Sequence, residues 1–232
     1  SWASATLREI HNEHHIGYDP KAEKINYFYH SSNSNRLSAV GRVVNDAANG
    51  PFKFYYLSGA LSSTGEFKDG KKEGVWTYYH ENGKKNRVST YKNDQIVGIS
   101  TEYYENGNKS FEGTYVNDAL DGPVHVYEET GVLKRTLIVR NKTAEDSMIY
   151  YYPNGQISSI LPMSKGITEG AAKYFHETGA KASTINFVKD QRKGQSTFYH
   201  PNGQLKSQPN YAENYFDGPY KSYHPNGALQ DS

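Results

Sequence analysis

The chain has 232 residues, a formal net charge of +1 with both signs scattered along it, and no cysteine. Disulfides, thiolate metal sites and cysteine nucleophiles are excluded, the lack of a basic face argues against nucleic acid as the main partner, and no apolar run approaches the roughly 20 residues that cross a bilayer as a helix. Hydrophobic residues make up 35% and tyrosine alone supplies 21 positions, so a deep aliphatic core is not expected and aromatic rings lying flat on a sheet are.

Residues 1–24 carry no repeat. Within them Ser4 to Glu13 predicts a short amphipathic helix with Leu7 and Ile10 on one side, a cap of the kind that repeat arrays need at their ends. His11, His14 and His15 fall close together here, without the carboxylate or cysteine partner at a recognised spacing that a metal site requires. The chain starts at Ser1 rather than methionine, which points to the mature part of an exported, periplasmic protein, with a cytoplasmic protein as the alternative.

From residue 25 to residue 232 the sequence reads as a single array. Gly59, Gly83, Gly107, Gly131, Gly155, Gly179, Gly203 and Gly227 stand 24 residues apart, and the ruler extrapolates back to Asn35. A second column keeps the same step through Gly50, Gly74, Gly98, Gly122, Gly170, Gly194 and Gly218, with Asp146 at the missing place. A third reads Gly70, Asp94, Asp118, Lys142, Gly166, Asp190 and Asn214. A fixed period of this size means a repeat architecture.

The unit from Gly98 to Asp121 shows the plan. Ile99 to Glu105 reads as a strand, Asn106-Gly107 as a primed hairpin turn with positive φ at its central residues, Lys109 to Val116 as the return strand, and Asn117 to Gly122 as the turn into the next unit. Asn82-Gly83, Asn154-Gly155, Asn202-Gly203 and Asn226-Gly227 repeat the turn, with Ser58-Gly59, Thr130-Gly131 and Thr178-Gly179 as weaker forms. Connections this short join antiparallel neighbours. The predicted fold is therefore all-β: an elongated, twisted meander of antiparallel β-hairpins, with a degenerate unit from Asn26 to Asp46.

Side chains follow the same period. Tyr55, Tyr79, Tyr103, Tyr127, Tyr151, Phe175, Tyr199 and Tyr223 form one column, and Phe67, Tyr91, Tyr115, Val139, Met163, Phe187 and Tyr211 a second. Their constancy predicts packing ladders built by cross-strand pairing. The neighbouring column varies: Tyr56, His80, Tyr104, Glu128, Tyr152, His176, His200 and His224. With Trp76 nearby, these predict the partner-binding surface, because Tyr and Trp anchor interfaces. The fifth unit is irregular, with Lys142, Asp146 and Pro162, and Pro209 falls likewise in the seventh. Bends or bulges are expected near 140–165 and 209, with Pro162 interrupting its return strand. The hairpin from Gly218 to Gln230 leaves a strand edge that invites pairing.

Units of the form Gly-x-x-x-x-Tyr-x-x-Asn-Gly, as at Gly74 to Gly83, Gly98 to Gly107 and Gly194 to Gly203, resemble the MORN-repeat variant, most of all its YwqK-type antitoxin group. The resemblance covers about residues 50 to 232. It implies a protein that neutralises a toxin, often an immunity protein made beside a secreted effector. Ordinary MORN repeats are linked to scaffolding and membrane lipids; the longer units and the lack of basic clusters count against a lipid role.

Enzyme chemistry finds no support. His176, His200 and His224 recur in register, but equivalent residues of successive hairpins lie about 9.6 Å apart, two strand spacings, too far to share one zinc ion with bonds near 2.1 Å. There is no Gly-x-Ser-x-Gly elbow and no phosphate-cradling loop before a helix. The expectation is a protein with no catalytic residue, metal or cofactor, whose partner is a cognate toxin such as a nuclease or lipase blocked by occlusion. The alternatives are an envelope scaffold assembling through strand edges, and a carbohydrate-binding array.

Overall fold

The computed structural model describes residues 25–28, 37–45 and 47–231. The proposed N-terminal helix, the histidines at 11, 14 and 15, and positions Asn35 and Asp46 lie outside them. Among the described residues every strand pairing is antiparallel and no helix occurs. The chain divides into two compact units, Ser1–Ala119 and Leu120–Ser232.

Unit 1 is a meander of β1 (Ile25–Phe28), β2 (Leu37–Val44), β3 (Ala47–Tyr55), β4 (Leu61–Lys68), β5 (Lys71–Tyr79), β6 (Lys85–Lys92), β7 (Gln95–Tyr103) and β8 (Lys109–Val116), each paired with the next. The two kinds of turn divide the work differently from the sequence expectation. At the Asn-Gly turns only the glycine has positive φ, 81° at Gly83 and 96° at Gly107. The Gly83 amide donates to the His80 carbonyl and the His80 amide to the Lys84 carbonyl, at 2.9 and 2.8 Å. This is a type I turn closed by a left-handed glycine, the usual three-residue hairpin, rather than a primed turn. The primed geometry sits at the third column instead, where both central residues are left-handed: Asn93 and Asp94 at 51° and 71°, Asn117 and Asp118 at 47° and 67°.

The second glycine column marks a bulge in the middle of a strand. Thr64 pairs with Thr77 and Glu66 with Glu73, so three residues, Gly74 to Trp76, stand opposite Gly65 alone. The same skip occurs where Val88 pairs with Thr101 and Thr90 with Val97. A bulge bends its strand and re-aims the side chains beside it. Tyr78 pairs with Arg87, and Tyr91 lies four residues further along β6, about 13 Å at the usual rise. Their hydroxyl oxygens are nevertheless 3.1 Å apart. Phe54 and Phe67 converge likewise, with ring centroids 6.3 Å apart. The side chains on this face of unit 1 thus converge along a crease beside the bulge, and the core fills it: Ala39, Ala48, Phe52, Phe67, Trp76 and Tyr91.

The crease is packed by complementary sizes. A Cβ on Gly41 would come within 2.4 Å of the Phe52 ring, and one on Gly65 within 2.3 Å of the Trp76 ring. The next pair in the same register is Ser89 and Ser100, whose hydroxyls meet at 2.6 Å. Large rings face glycine, and the two small residues meet through a hydrogen bond between their hydroxyls.

Unit 2, which begins inside β9 (Ala119–Tyr127), continues with β10 (Leu133–Arg140), β11 (Thr143–Tyr151), β12 (Ile157–Ser164), β13 (Ile167–Thr168), β14 (Gly170–Phe175), β15 (Lys181–Val188), β16 (Gln191–Arg192), β17 (Gly194–Gln195), β18 (Thr197–Tyr199), β19 (Leu205–Ser207), β20 (Asn210–Ala212), β21 (Tyr215–Phe216), β22 (Ser222–Tyr223) and β23 (Leu229–Asp231). Its crease is aliphatic: Leu137 pairs with Met148, Met148 with Leu161, and Ala172 with Ile185. Asp146 holds the bulge position at a φ of 63°, and the register skips between Leu137 and Ile138. Contrary to the sequence expectation, β12 runs through Pro162, which pairs with Ser147. The chain breaks pairing at Pro209 as expected, between β19 and β20.

Candidate functional site

The column expected to meet a partner is largely engaged inside the array. The Tyr56 hydroxyl donates to the Tyr79 carbonyl at 2.6 Å and the Tyr152 hydroxyl to the Phe175 carbonyl at 2.8 Å, both in the following repeat. Histidine does the same: Nε2 of His80, His176 and His200 meets the carbonyls of Tyr103, Tyr199 and Tyr223 at 2.9, 3.4 and 2.8 Å. Glu128 pairs with Lys134 at 2.9 Å, and the backbone amides of Tyr104 and His224 donate to the carbonyls of Asn108 and Ala228 within their own hairpins. Trp76 is no surface anchor. It is 1% exposed, and its indole N–H donates to the Glu66 carbonyl at 3.1 Å. The reason is the bulge, which turns Trp76 over Gly65 and into the crease.

The turn columns are engaged in the same way. Asp94 accepts the Lys72 amide at 2.8 Å, Asp118 that of Ile96 at 2.7 Å, Asp190 that of Thr168 at 2.7 Å and Asn214 that of Arg192 at 2.9 Å. Each of these residues also donates its own amide to the same partner's carbonyl. Positions that recur every 24 residues therefore hold repeat to repeat.

What departs from the period lies on the inner face of unit 1. Lys72 on β5 and Arg87 on β6 stand among the converging rings. The Lys72 ammonium is 4.5, 5.3 and 5.0 Å from the centroids of Trp76, Tyr78 and Tyr91, and it donates to the Tyr78 hydroxyl at 2.8 Å. The Arg87 guanidinium lies 4.4 Å from the Tyr78 centroid, and its Nη2 reaches the Tyr91 hydroxyl at 3.4 Å. Cation–π attraction of this kind strengthens as water is excluded. Burial holds the Lys72 ammonium below its usual pKa. Burial, followed by the hydrogen bond with Tyr78, pushes the Tyr91 hydroxyl up to about 12. Burial also raises Tyr115, with Glu102 adding to the effect.

In the sequence, the repeats of Lys72 are Ile96, Leu120, Ala144, Thr168, Arg192 and Phe216, and those of Arg87 are Phe111, Arg135, Ser159, Ser183 and Ser207. Two cations coincide only at the 72/87 pair. Unit 2 carries a sparser version, with Arg192 5.4 Å from the Tyr211 centroid. This inner-face cluster was not singled out from sequence. Its signal was available as two basic residues in columns that are otherwise mostly apolar or small.

Among the described residues no three or more His, Cys, Asp or Glu side chains gather as a metal site, and no helix is long and apolar enough to cross a membrane. The arrangement suits contact with a partner: rigid rings, two cations and a floor that is already packed.

Comparison with known proteins bears on the fold. The model of the MORN repeat variant family matches residues 48–69, 72–93, 96–117, 147–165, 192–213 and 216–231, more than half of the chain. No curated protein matches it. Among solved structures, similarity is found to a mutant of S. aureus TarM in complex with fondaparinux, alpha-GlcNAc-glycerol and UDP, at 9% identity over 61% of this chain and 26% of that one, with a TM-score of 0.30. It is also found to TcdB2-TccC3-Cdc42, at 10% identity over 89% and 13% of the two chains with a TM-score of 0.24. The Photorhabdus luminescens Tc holotoxin pore gives 10% identity over 89% and 14%, with a TM-score of 0.18. The chain spans about a quarter or less of the length of these proteins, and likenesses this loose carry no argument.

Proposed function

The chain belongs to the MORN repeat variant family, and on that premise we propose that it works by binding, as an immunity protein or antitoxin that covers the active site of a cognate protein toxin. The toxin reading follows the resemblance of its Tyr-x-x-Asn-Gly units to the YwqK-type antitoxin group. The contact surface follows from the division of labour within the array. Periodic residues of the turn columns are committed to bonds between repeats, while Lys72 and Arg87 break the period beside Tyr78 on the half-buried inner face of unit 1. That single observation carries the proposal, since tyrosine and arginine on a rigid, partly dry surface are typical anchors of protein interfaces. The proposed mechanism is occlusion: the sheet supplies shape and the partner supplies the chemistry that is blocked.

The test is capture of a partner from the native cells, followed by expression of that partner alone and together with this chain. The proposal expects the partner to be toxic alone and harmless in company, through a one-to-one complex. A captured partner that is harmless on its own contradicts it.

A further inference from the structure

We propose that Lys72 and Arg87 together form a receptor for a carboxylate, presented by an acidic segment of the protein partner; the inference deepens the binding reading above and rests on it.

The two cations share one aromatic wall. Lys72 bonds the Tyr78 hydroxyl at 2.8 Å while Arg87 lies against the face of the same ring, so both charges converge on one spot of the inner face. Neither is held in an ion pair. Among the described residues no carboxylate stands within ion-pair distance of either, the pairs formed being Lys109 with Glu112, Lys134 with Glu128 and Arg140 with Asp146. Glu102 is directly across the sheet from Arg87 yet makes no ion pair with it. Asp94 bonds the Lys72 backbone amide and acts on the ammonium only from beyond ion-pair distance.

Both side chains also keep unused donors. Lys72 has three N–H groups and one hydrogen bond, to Tyr78. Arg87 has five and one long contact, to Tyr91, while its buried Nε meets no acceptor. A carboxylate is the group that answers two adjacent cations with two acceptor oxygens. Arginine's planar fork takes it end-on through its terminal nitrogens, and lysine adds a point charge. Burial, the main cause of the lowered Lys72 pKa, makes an incoming negative charge more favourable still.

The site is too small for a polyanion. A nucleic acid or heparin-like chain is held by many phosphates or sulfates along a basic track, whereas here two cations stand in an aromatic setting on a chain with a formal net charge of +1. An aspartate or glutamate set among apolar residues fits both the charge and the rings.

The experiment titrates the full chain with a short fluorescein-labelled peptide that carries a single glutamate among apolar residues, followed by anisotropy. Lys72→Met and Arg87→Met are compared with the charge-keeping Lys72→Arg and Arg87→Lys, each checked for an unchanged melting transition. Methionine keeps the apolar stem among the rings. The expected result is binding by the native chain, weakened about tenfold or more by each methionine variant, largely kept by Lys72→Arg, and lost only in part by Arg87→Lys, which keeps the charge but not the fork. No binding, binding indifferent to the methionine variants, or equally effective competition by inorganic phosphate would overturn the carboxylate assignment. Because the probe is a peptide and not the partner, such a failure leaves the toxin-binding reading to be decided by the capture experiment.

Discussion

Adding one methyl group at Gly65 tests the packing that shapes the inner face. Gly65 has no positive φ, so alanine there meets no backbone objection; its Cβ meets the Trp76 ring, with Cδ2, Cε2 and Cγ at 2.3, 2.4 and 2.5 Å. Three overlapping ring atoms cannot be relieved by one small rotation, and the ring is walled in by Phe67 at 4.9 Å and Phe54 at 6.0 Å. Overpacking of this kind costs about 1–3 kcal/mol, and the upper half of that range is expected for a ring only 1% exposed. Trp76→Ala alone removes a buried aromatic and costs about 3–5 kcal/mol. In the double variant the alanine at 65 has room, so its own cost falls to about 0.5 kcal/mol or less, giving a coupling of about 2 kcal/mol in the cycle. Urea unfolding followed by far-UV circular dichroism measures all four corners. Additive losses would refute the claim that the glycine is there to admit the ring.

Three further outcomes follow from the contacts between repeats. Asp94→Ala removes the acceptor of the Lys72 amide at 2.8 Å and should cost about 1.5–3 kcal/mol and speed hydrogen exchange of that amide, while Asp94→Asn, which copies Asn214, should be nearly neutral; equal losses in urea unfolding would contradict this. Asn154 both accepts the Gln156 amide within its own turn and donates to the Glu177 carbonyl of the next hairpin, at 2.9 and 3.0 Å. Asn154→Asp keeps the first bond and loses the second, and about 1 kcal/mol of stability is expected to go with it. Tyr91 gives a pH effect: its hydroxyl titrates at about 12 in the fold and near 10 when unfolded. Between those values the unfolded chain has released a proton that the folded chain keeps, so this group's contribution is lost as pH rises through that window and is constant below it. Lys72, lowered in the fold, works in the opposite sense, so the readout is the difference between the native chain and Tyr91→Phe, whose stability should fall less steeply between pH 10 and about 12.

The period, the hairpins and the antiparallel pairing were legible because glycine, asparagine and aspartate are demanded by backbone geometry, and backbone geometry repeats. The mid-strand bulge was not. Gly74 and Asp146 announce a left-handed residue, but nothing local says that three residues will face one, and without that skip Gly65 cannot be matched to Trp76. The reading of Trp76 as a surface anchor failed for that reason. The column from Tyr56 to His224 varied in shape and so read as a recognition surface. What tyrosine and histidine share there is a ring-borne donor at similar reach, and the structure uses it on the next repeat's carbonyl. The site at Lys72 and Arg87 was hidden by attention to what recurs, although it is marked by what does not.

Site-specific photo-crosslinking in the native cells tests most directly which surface meets the partner. A benzophenone side chain at position 102, across from Arg87 on the inner face, is compared with one at position 75, where Val75 is 59% exposed beside the inward-turned Trp76. The account predicts a discrete protein adduct from position 102 and none from position 75. An adduct from position 75 alone would contradict it.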